Sequence, residues 1–489
     1  MYFKNATPES VGIDSRNVLD FVKTLNEHNI PMHSLLIAKG NNLIFEGYWK
    51  PFKQNENHRM YSQTKSYVGI AVSELIADGL IKADDKIIDY FPEYLPDEIH
   101  PYLKAQTVEN MLNMSTCFTN CNWFKNHGGD RVKCYFSMKP TRYPGTTFFY
   151  DSTGSFVLAA LVEKVTGKTF LDYLREKCLN KIGFSKDSRV LTCPGGFAWG
   201  DSALLCTTTD MMLFGRLLAQ KGEWNGEQLL HKDAVTAATA NTVTCDTYDG
   251  LKTGAHGYGR QIWQTYNQSF AFFGMHGQFL IYNPKTDILM ACTAGWYRGS
   301  SGSCKEVLFS NFFNKIVNTA SDEPLKESSV FCELNQYKST LALSTIWGEF
   351  DSPIAEKING KVFKAGENPM GITEFCLKFN KNGGEFNYKN AQGNKTISFG
   401  FGDNVLGEFP QTGYSKDIGG VRCDGHKYRC AASAAWVQQN KFNILVQIID
   451  DYIGILDITV GFNGDVAVIE MLGDAEDFLE EYNGYLTSI

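Results

Sequence analysis

Ser62 and Lys65 stand three residues apart in Tyr61-Ser62-Gln63-Thr64-Lys65-Ser66-Tyr67-Val68-Gly69-Ile70, a spacing that puts a hydroxyl and an amine on one helical face. A serine hydroxyl is a weak nucleophile until a neighbouring base takes its proton, and Ser-x-x-Lys is an arrangement that brings such a base within reach. A place on the first turn adds backbone N–H groups without intrahelical partners and the positive end of the helix dipole, both suited to developing negative charge. The same two positions also describe a solvated helix start with a surface lysine. Two observations argue against that plain alternative: the pattern occurs once in the sequence, and Val68, Ala71, Val72, Leu75 and Ile76 follow at helical spacing before Gly79, as in a buried helix.

The elements around this stretch must position it. Asn17 to His28 carries Val18, Phe21, Val22 and Leu25 on one stripe and reads as an amphipathic helix. Ser34–Ala38 and Leu43–Trp49 flank Lys39-Gly40-Asn41-Asn42 and read as a hairpin, so the order is helix, hairpin, nucleophile helix. Thr107 to Met114 is expected to form a short helix. The aromatic-rich segment Ser115–Tyr143 has no clear period, and long excursions of this kind often carry function, which makes Trp123, Phe124 and Tyr135 candidates for lining a cleft. Tyr150 closes Pro144-Gly145-Thr146-Thr147-Phe148-Phe149-Tyr150 just before a helix with Val157, Leu158, Leu161 and Val162 inside, a junction that holds a side chain firmly. Thr207-Thr208-Thr209-Asp210 caps a further helix to Ala219. Strands follow from Gly257 to Thr293, with Gly274-Met275-His276-Gly277-Gln278 between two of them, and a helix from Lys305 to Val317 closes the region.

Length and composition bound the rest. A chain of 489 residues implies two or three domains, and its net charge of -8 with both signs interspersed offers no basic face for nucleic acid. Thirteen cysteines, scattered and odd in number, form neither a disulfide framework nor a Cys-x-x-Cys metal site, and read as reduced thiols of a cytoplasmic protein. No signal peptide opens the sequence and no apolar run is long enough to span a bilayer. Around Ser321–Ser329 the composition turns polar, and beyond it the hydrophobic period becomes two: Phe375, Leu377 and Phe379, then Phe442, Ile444, Val446 and Ile448, then Leu456, Ile458, Val460 and Phe462 before Asn463-Gly464. The expected fold class is α+β: residues 1–320 with an antiparallel sheet, flanking helices and a helical subdomain, a linker over 321–335, and 336–489 as a small antiparallel β domain, a lipocalin-like barrel or a sandwich.

Ser62-Gln63-Thr64-Lys65, Tyr150-Asp151-Ser152 and Gly274-Met275-His276-Gly277-Gln278 stand in the order of the three signatures of the serine β-lactamase and penicillin-binding superfamily. Residues 5 to 318 resemble its class C branch, and the third signature is most similar to esterases and 6-aminohexanoate-dimer hydrolases of that branch. The resemblance implies a β-lactamase-like fold, Ser62 as the nucleophile that forms an acyl-enzyme, and Lys65 and Tyr150 sharing the proton transfers. It further implies an oxyanion hole from the N–H groups of Ser62 and of Met275 or its neighbour, with Ser152, His276 and Gly277 lining the substrate site. The chain departs from the pattern in Ser152, where asparagine is common, and in lacking a lysine before Met275. Lys252-Thr253-Gly254 precedes Gly257-Tyr258-Gly259, the wrong side for the third signature. These departures argue against β-lactamase and peptidase activity and for a small ester or amide substrate.

Lysine and tyrosine ordinarily titrate near 10, too high for a base at neutral pH, but placed together in a desolvated cleft they titrate as one unit, so the base is assigned to neither. Hydrolysis and acyl transfer remain equal outcomes, and a binding protein that has lost turnover is the alternative of a different class. No cofactor or metal is expected, because the nine histidines show no ligand spacing. The expected partner is the small-molecule substrate, without nucleic acid or membrane. The second domain has three open roles: covering the cleft, forming a homodimer, or supporting the fold.

Overall fold

The computed structural model describes residues 2–118, 130–245, 249–414, 422–475 and 479–489, and they divide into two compact units. The first holds the described residues up to Ala294 together with Gly299–Ala342; the second holds Gly295–Arg298 and the described residues from Leu343 onward. Within the expected linker 321–335, Val330 begins a helix, Val330–Ser339, whose Glu333 takes Arg16 and Lys23 of the Ser15–Glu27 helix in ion pairs of 3.2 and 3.0 Å. The first unit therefore runs on through that helix to Ala342.

The first unit is built on a nine-stranded sheet. From one edge its order is Lys4–Asn5, Asn42–Tyr48, Met32–Lys39, Ile288–Ala294, Gln278–Asn283, Ser269–Gly274, Trp263–Thr265, Ala255–Tyr258 and Val243–Thr244. Every neighbour is antiparallel except the first pair, where Lys4 and Asn5 run parallel to Asn42 and Leu43. Alternation of side chains across the sheet supplies two buried faces. Phe272 points to one, where its ring meets Tyr67 and Phe214 of the helices Thr64–Ala77 and Thr208–Ala219. Its neighbour Phe273 points to the other, against Phe309 of the helix Ser301–Asn311.

Three helices of this unit start on a side-chain cap, of which the sequence reading names the one at Thr207. Asp14 accepts the Arg16 N–H at 2.7 Å, Thr107 closes a capping box with Asn110, and Thr207 closes one with Asp210. The helix Thr64–Ala77 is different in kind: every residue from Thr64 to Leu75 is buried, so it is the central post of the unit and has no solvated face. One segment reaches it only because a side chain is missing. A Cβ on Gly200 would lie 2.1 Å from the Ala159 Cβ and 3.2 Å from Val68 Cγ2, so glycine alone lets the Trp199–Ser202 segment wedge between this helix and Ser152–Thr166.

The second unit is a ten-stranded curled sheet, a half-barrel, from Val362–Lys364 to Gly484–Thr487. Its strands are antiparallel apart from one parallel contact, Gly400 with Ser433 and Phe401 with Ala434. The residues of the period-two pattern are the buried ones: Phe375, Leu377, Phe442, Ile444, Val446, Leu456, Ile458 and Val460 all face inward. Buried polar contacts interrupt them, among them the Tyr388 and Tyr482 hydroxyls at 2.8 Å. Among the described residues no helix is long and apolar enough to cross a membrane.

Candidate active site

Ser62 sits on a single three-ten turn, Tyr61–Gln63, that runs directly into the helix Thr64–Ala77. It is half-buried, while Lys65 behind it is 1% exposed. Lys65 Nζ lies 2.8 Å from Ser62 Oγ and donates to the backbone carbonyl of Asp201, also at 2.8 Å. The same nitrogen lies 5.1 Å from the centre of the Tyr150 ring, and the Tyr150 hydroxyl is hydrogen-bonded to Ser62. The three side chains of the sequence reading thus converge on one oxygen. Burial pushes the Tyr150 phenol up from its ordinary value, the Asp201 carboxylate pushes the same way, and the Ser62 hydrogen bond opposes them. The phenol therefore holds its proton at neutral pH.

Tyr150 is supported from behind. Its ring stacks on Trp263 at 5.4 Å and Trp263 stacks on Phe273 at 5.2 Å, so the sheet orients the phenol through an aromatic ladder. Asp151, next in sequence, caps the following helix by accepting from Gly154 N at 3.0 Å, which fixes the backbone that carries Tyr150. Ser152 is the first residue of that helix and is half-buried.

Met275, His276 and Gly277 form the tip between the strands Ser269–Gly274 and Gln278–Asn283. The tip is brought to the nucleophile by a close approach: a Cβ on Gly274 would lie 2.2 Å from the Met60 carbonyl oxygen. Gln278 holds its shape, donating from Nε2 to the Met275 and Ala294 carbonyls at 2.9 Å each. His276 is buried in the left-handed region, φ 62°, with Gly277 beside it at φ 100°, and its ring meets the edge of Tyr61 at 5.2 Å. Tyr61 itself has φ 47°. Two non-glycine residues in a sparsely populated conformation therefore touch across the nucleophile.

Behind His276 lies a buried histidine pair. His58 Nδ1 is 3.1 Å from the Arg59 carbonyl, which can only accept, so Nδ1 carries the proton and His58 Nε2 accepts from His33 Nδ1 at 2.7 Å. Burial lowers both rings, His58 to about 4, where the Arg59 carbonyl opposes the shift, and His33 well below its ordinary value, with the charges of His58 and His276 adding to it. The unfolded chain takes up these protons near 6.5, so between about 4 and 6.5 it binds more protons than the folded one and stability falls as pH is lowered. The His58 shift corresponds to about 3 kcal/mol. Thermal melts should show that loss from pH 6.5 down to 4, and His58→Asn should flatten much of it.

Several participants escaped the sequence reading. Asp201 and Trp263 each act from a distant part of the chain, and only Gly200 signals the wedge that delivers Asp201. Tyr135, a cleft candidate by sequence, is fully buried and its hydroxyl accepts from Gln106 Nε2 at 2.6 Å; it is a core residue. The reason is local: Arg131–Ser137 is helical, and its spacing turns Val132, Tyr135 and Phe136 inward. Trp123 and Phe124 lie outside the described residues. Away from the site, Glu74, Asp78 and His231 bring ligand-type atoms within 4.8 Å of one another. Lys177 occupies them, 2.6 Å from Asp78 and 3.4 Å from Glu74, and His231 Nδ1 is spent on Glu74 at 2.9 Å, so the group is an ion-pair cluster and not a metal centre.

An antiparallel sheet with a Ser-x-x-Lys helix against one face and a tyrosine closing on the serine defines a β-lactamase-like fold. The chain belongs to the beta-lactamase family, which it matches over residues 18–295. It is similar to the 6-aminohexanoate-dimer hydrolase of Paenarthrobacter ureafaciens, 25% identical over 283 residues, or 54% of this chain and 72% of that protein. It is also similar to penicillin-binding protein 4* of Bacillus subtilis, 21% identical over 183 residues, or 34% of this chain and 39% of that one. Among solved structures, a candidate 6-aminohexanoate-dimer hydrolase from Bacillus anthracis matches with a TM-score of 0.51 and 19% identity, covering 65% of this chain and 86% of that chain, a likeness of fold.

Proposed function

We propose that the protein is a serine hydrolase that cleaves a small ester or amide through an acyl-enzyme on Ser62. The observation that carries this reading is the convergence on Ser62 Oγ of the Lys65 amine, at 2.8 Å, and the Tyr150 hydroxyl. Membership of the beta-lactamase family and the similarity to a 6-aminohexanoate-dimer hydrolase support it.

Lys65, as the free amine, takes the Ser62 proton as Oγ attacks the substrate carbonyl. The oxyanion is met by the Ser62 and Met275 N–H groups, and the Gln278 grip on the Met275 carbonyl keeps the second donor in place. Tyr150, which retains its proton, gives it to the departing alkoxide or amine and is reprotonated through Lys65. Water then attacks the acyl-enzyme and releases the acid; an alcohol or amine in its place gives acyl transfer. The site offers no lysine beside Met275 to hold a carboxylate, which favours neutral esters and amides over β-lactams and peptides.

The test is covalent. A fluorophosphonate should label one serine, mapped to Ser62 by peptide mass, and block turnover of p-nitrophenyl esters in proportion. A chain left unlabelled, or labelled elsewhere, would overturn the assignment and favour a binding protein.

A further inference from the structure

The segment Trp199-Gly200-Asp201-Ser202 gathers an unusual set of charges. Its Asp201 carbonyl accepts the Lys65 amine at 2.8 Å, and its Ser202 carbonyl accepts Arg59 Nε at 3.0 Å. The Trp199 ring lies between two guanidiniums, Arg59 at 4.5 Å and Arg131 at 3.9 Å from its centre. Arg131 Nη1 is 3.9 Å from Asp201 Oδ1, and both side chains are almost wholly buried. At the segment's leading end Glu163 accepts from Ala198 N at 2.7 Å. Arg131 therefore faces the Asp201 carboxylate, Arg59 and Lys65 are held by the segment's backbone carbonyls, and the Tyr150 phenol lies within reach of the carboxylate's charge. The wedge at Gly200 sets this segment between the helix that carries Lys65 and the helix that follows Tyr150.

The geometry points to Asp201 as a positioning residue for the nucleophile: its carbonyl aligns the Lys65 amine on Ser62, and its carboxylate, held by Arg131, sets the pH window in which the Lys65–Tyr150 pair passes protons. The inference rests on the serine-hydrolase reading. The charge sits in a water-poor interior, where a neighbouring negative group favours the protonated form of an acid or base and a positive one favours its deprotonated form. Removing the Asp201 charge must therefore move the pair's titration to lower pH, and removing the Arg131 charge must move it to higher pH. The backbone carbonyl that Lys65 uses survives either change. A residue that only supported the fold would produce neither displacement.

The experiment follows the rate of fluorophosphonate labelling of the full-length chain against pH. With Asp201→Asn, which keeps the side-chain shape, both limbs of the profile should shift downward by about one pH unit. Arg131→Gln should shift them upward, and Arg131→Lys should restore the original profile. Labelling with unmoved limbs in Asp201→Asn, or shifts of the same sign in Asp201→Asn and Arg131→Gln, would overturn the inference while leaving Ser62 as nucleophile. If Asp201→Asn does not fold, the direction of the Arg131→Gln shift decides. A wild-type chain that is not labelled at Ser62 would remove both readings together.

Discussion

Ser62→Ala is expected to abolish fluorophosphonate labelling and to lower ester turnover by about 10⁴-fold or more, while thermal melting stays close to that of the wild type. The physical reason is that the two groups converging on the serine are poor nucleophiles in its place. Lys65 is buried behind the serine with its donors spent on Ser62 and Asp201, and Tyr150 holds its proton. Loss of one partly exposed hydroxyl leaves no cavity of consequence, so activity and stability should separate cleanly. Turnover at the original rate in a folded Ser62→Ala variant would refute the mechanism outright.

Tyr150→Phe should keep the stack on Trp263 and lose only the hydroxyl, so its effect isolates proton delivery. Because burial and the Asp201 carboxylate raise the phenol, it is the acid of the pair at neutral pH, and its removal should slow reactions in proportion to how much their leaving group needs a proton. Amides and alkyl esters should fall by about 10²- to 10⁴-fold, and p-nitrophenyl esters, whose phenolate leaves unaided, far less. The sign extends to the pH profile. A raised phenol keeps its proton through and beyond the ordinary tyrosine value near 10, so no loss of activity from Tyr150 ionisation should appear below that pH. Equal losses for all leaving groups would reassign Tyr150 to the attack step.

How much of this was legible in the sequence depended on distance along the chain. Ser62 and Lys65 could be paired because helical spacing alone decides their meeting. The half-barrel was legible because each strand buries one face, so Phe442, Ile444 and Val446 announce themselves. Tyr150 came from the order of three short signatures. Asp201, which touches Lys65 across 136 residues, had no local pattern to betray it, since a backbone carbonyl does not depend on residue type. Tyr135 misled because an Asn- and Gly-rich neighbourhood masks a two-turn helix whose inner positions are apolar. Ser321–Ser329 looks like a boundary for a related reason, yet the helix after it packs on the first unit through Glu333.

Tyr61 and His276 hold their left-handed backbones edge to edge, and each such residue costs roughly 1–3 kcal/mol. Both rings are themselves buried, so a glycine at either place relieves the backbone but empties the space the ring fills, a loss of about 3–5 kcal/mol that outweighs the relief. The strain is thus locked in by the packing it serves, and the serine and the strand tip are kept from drifting apart.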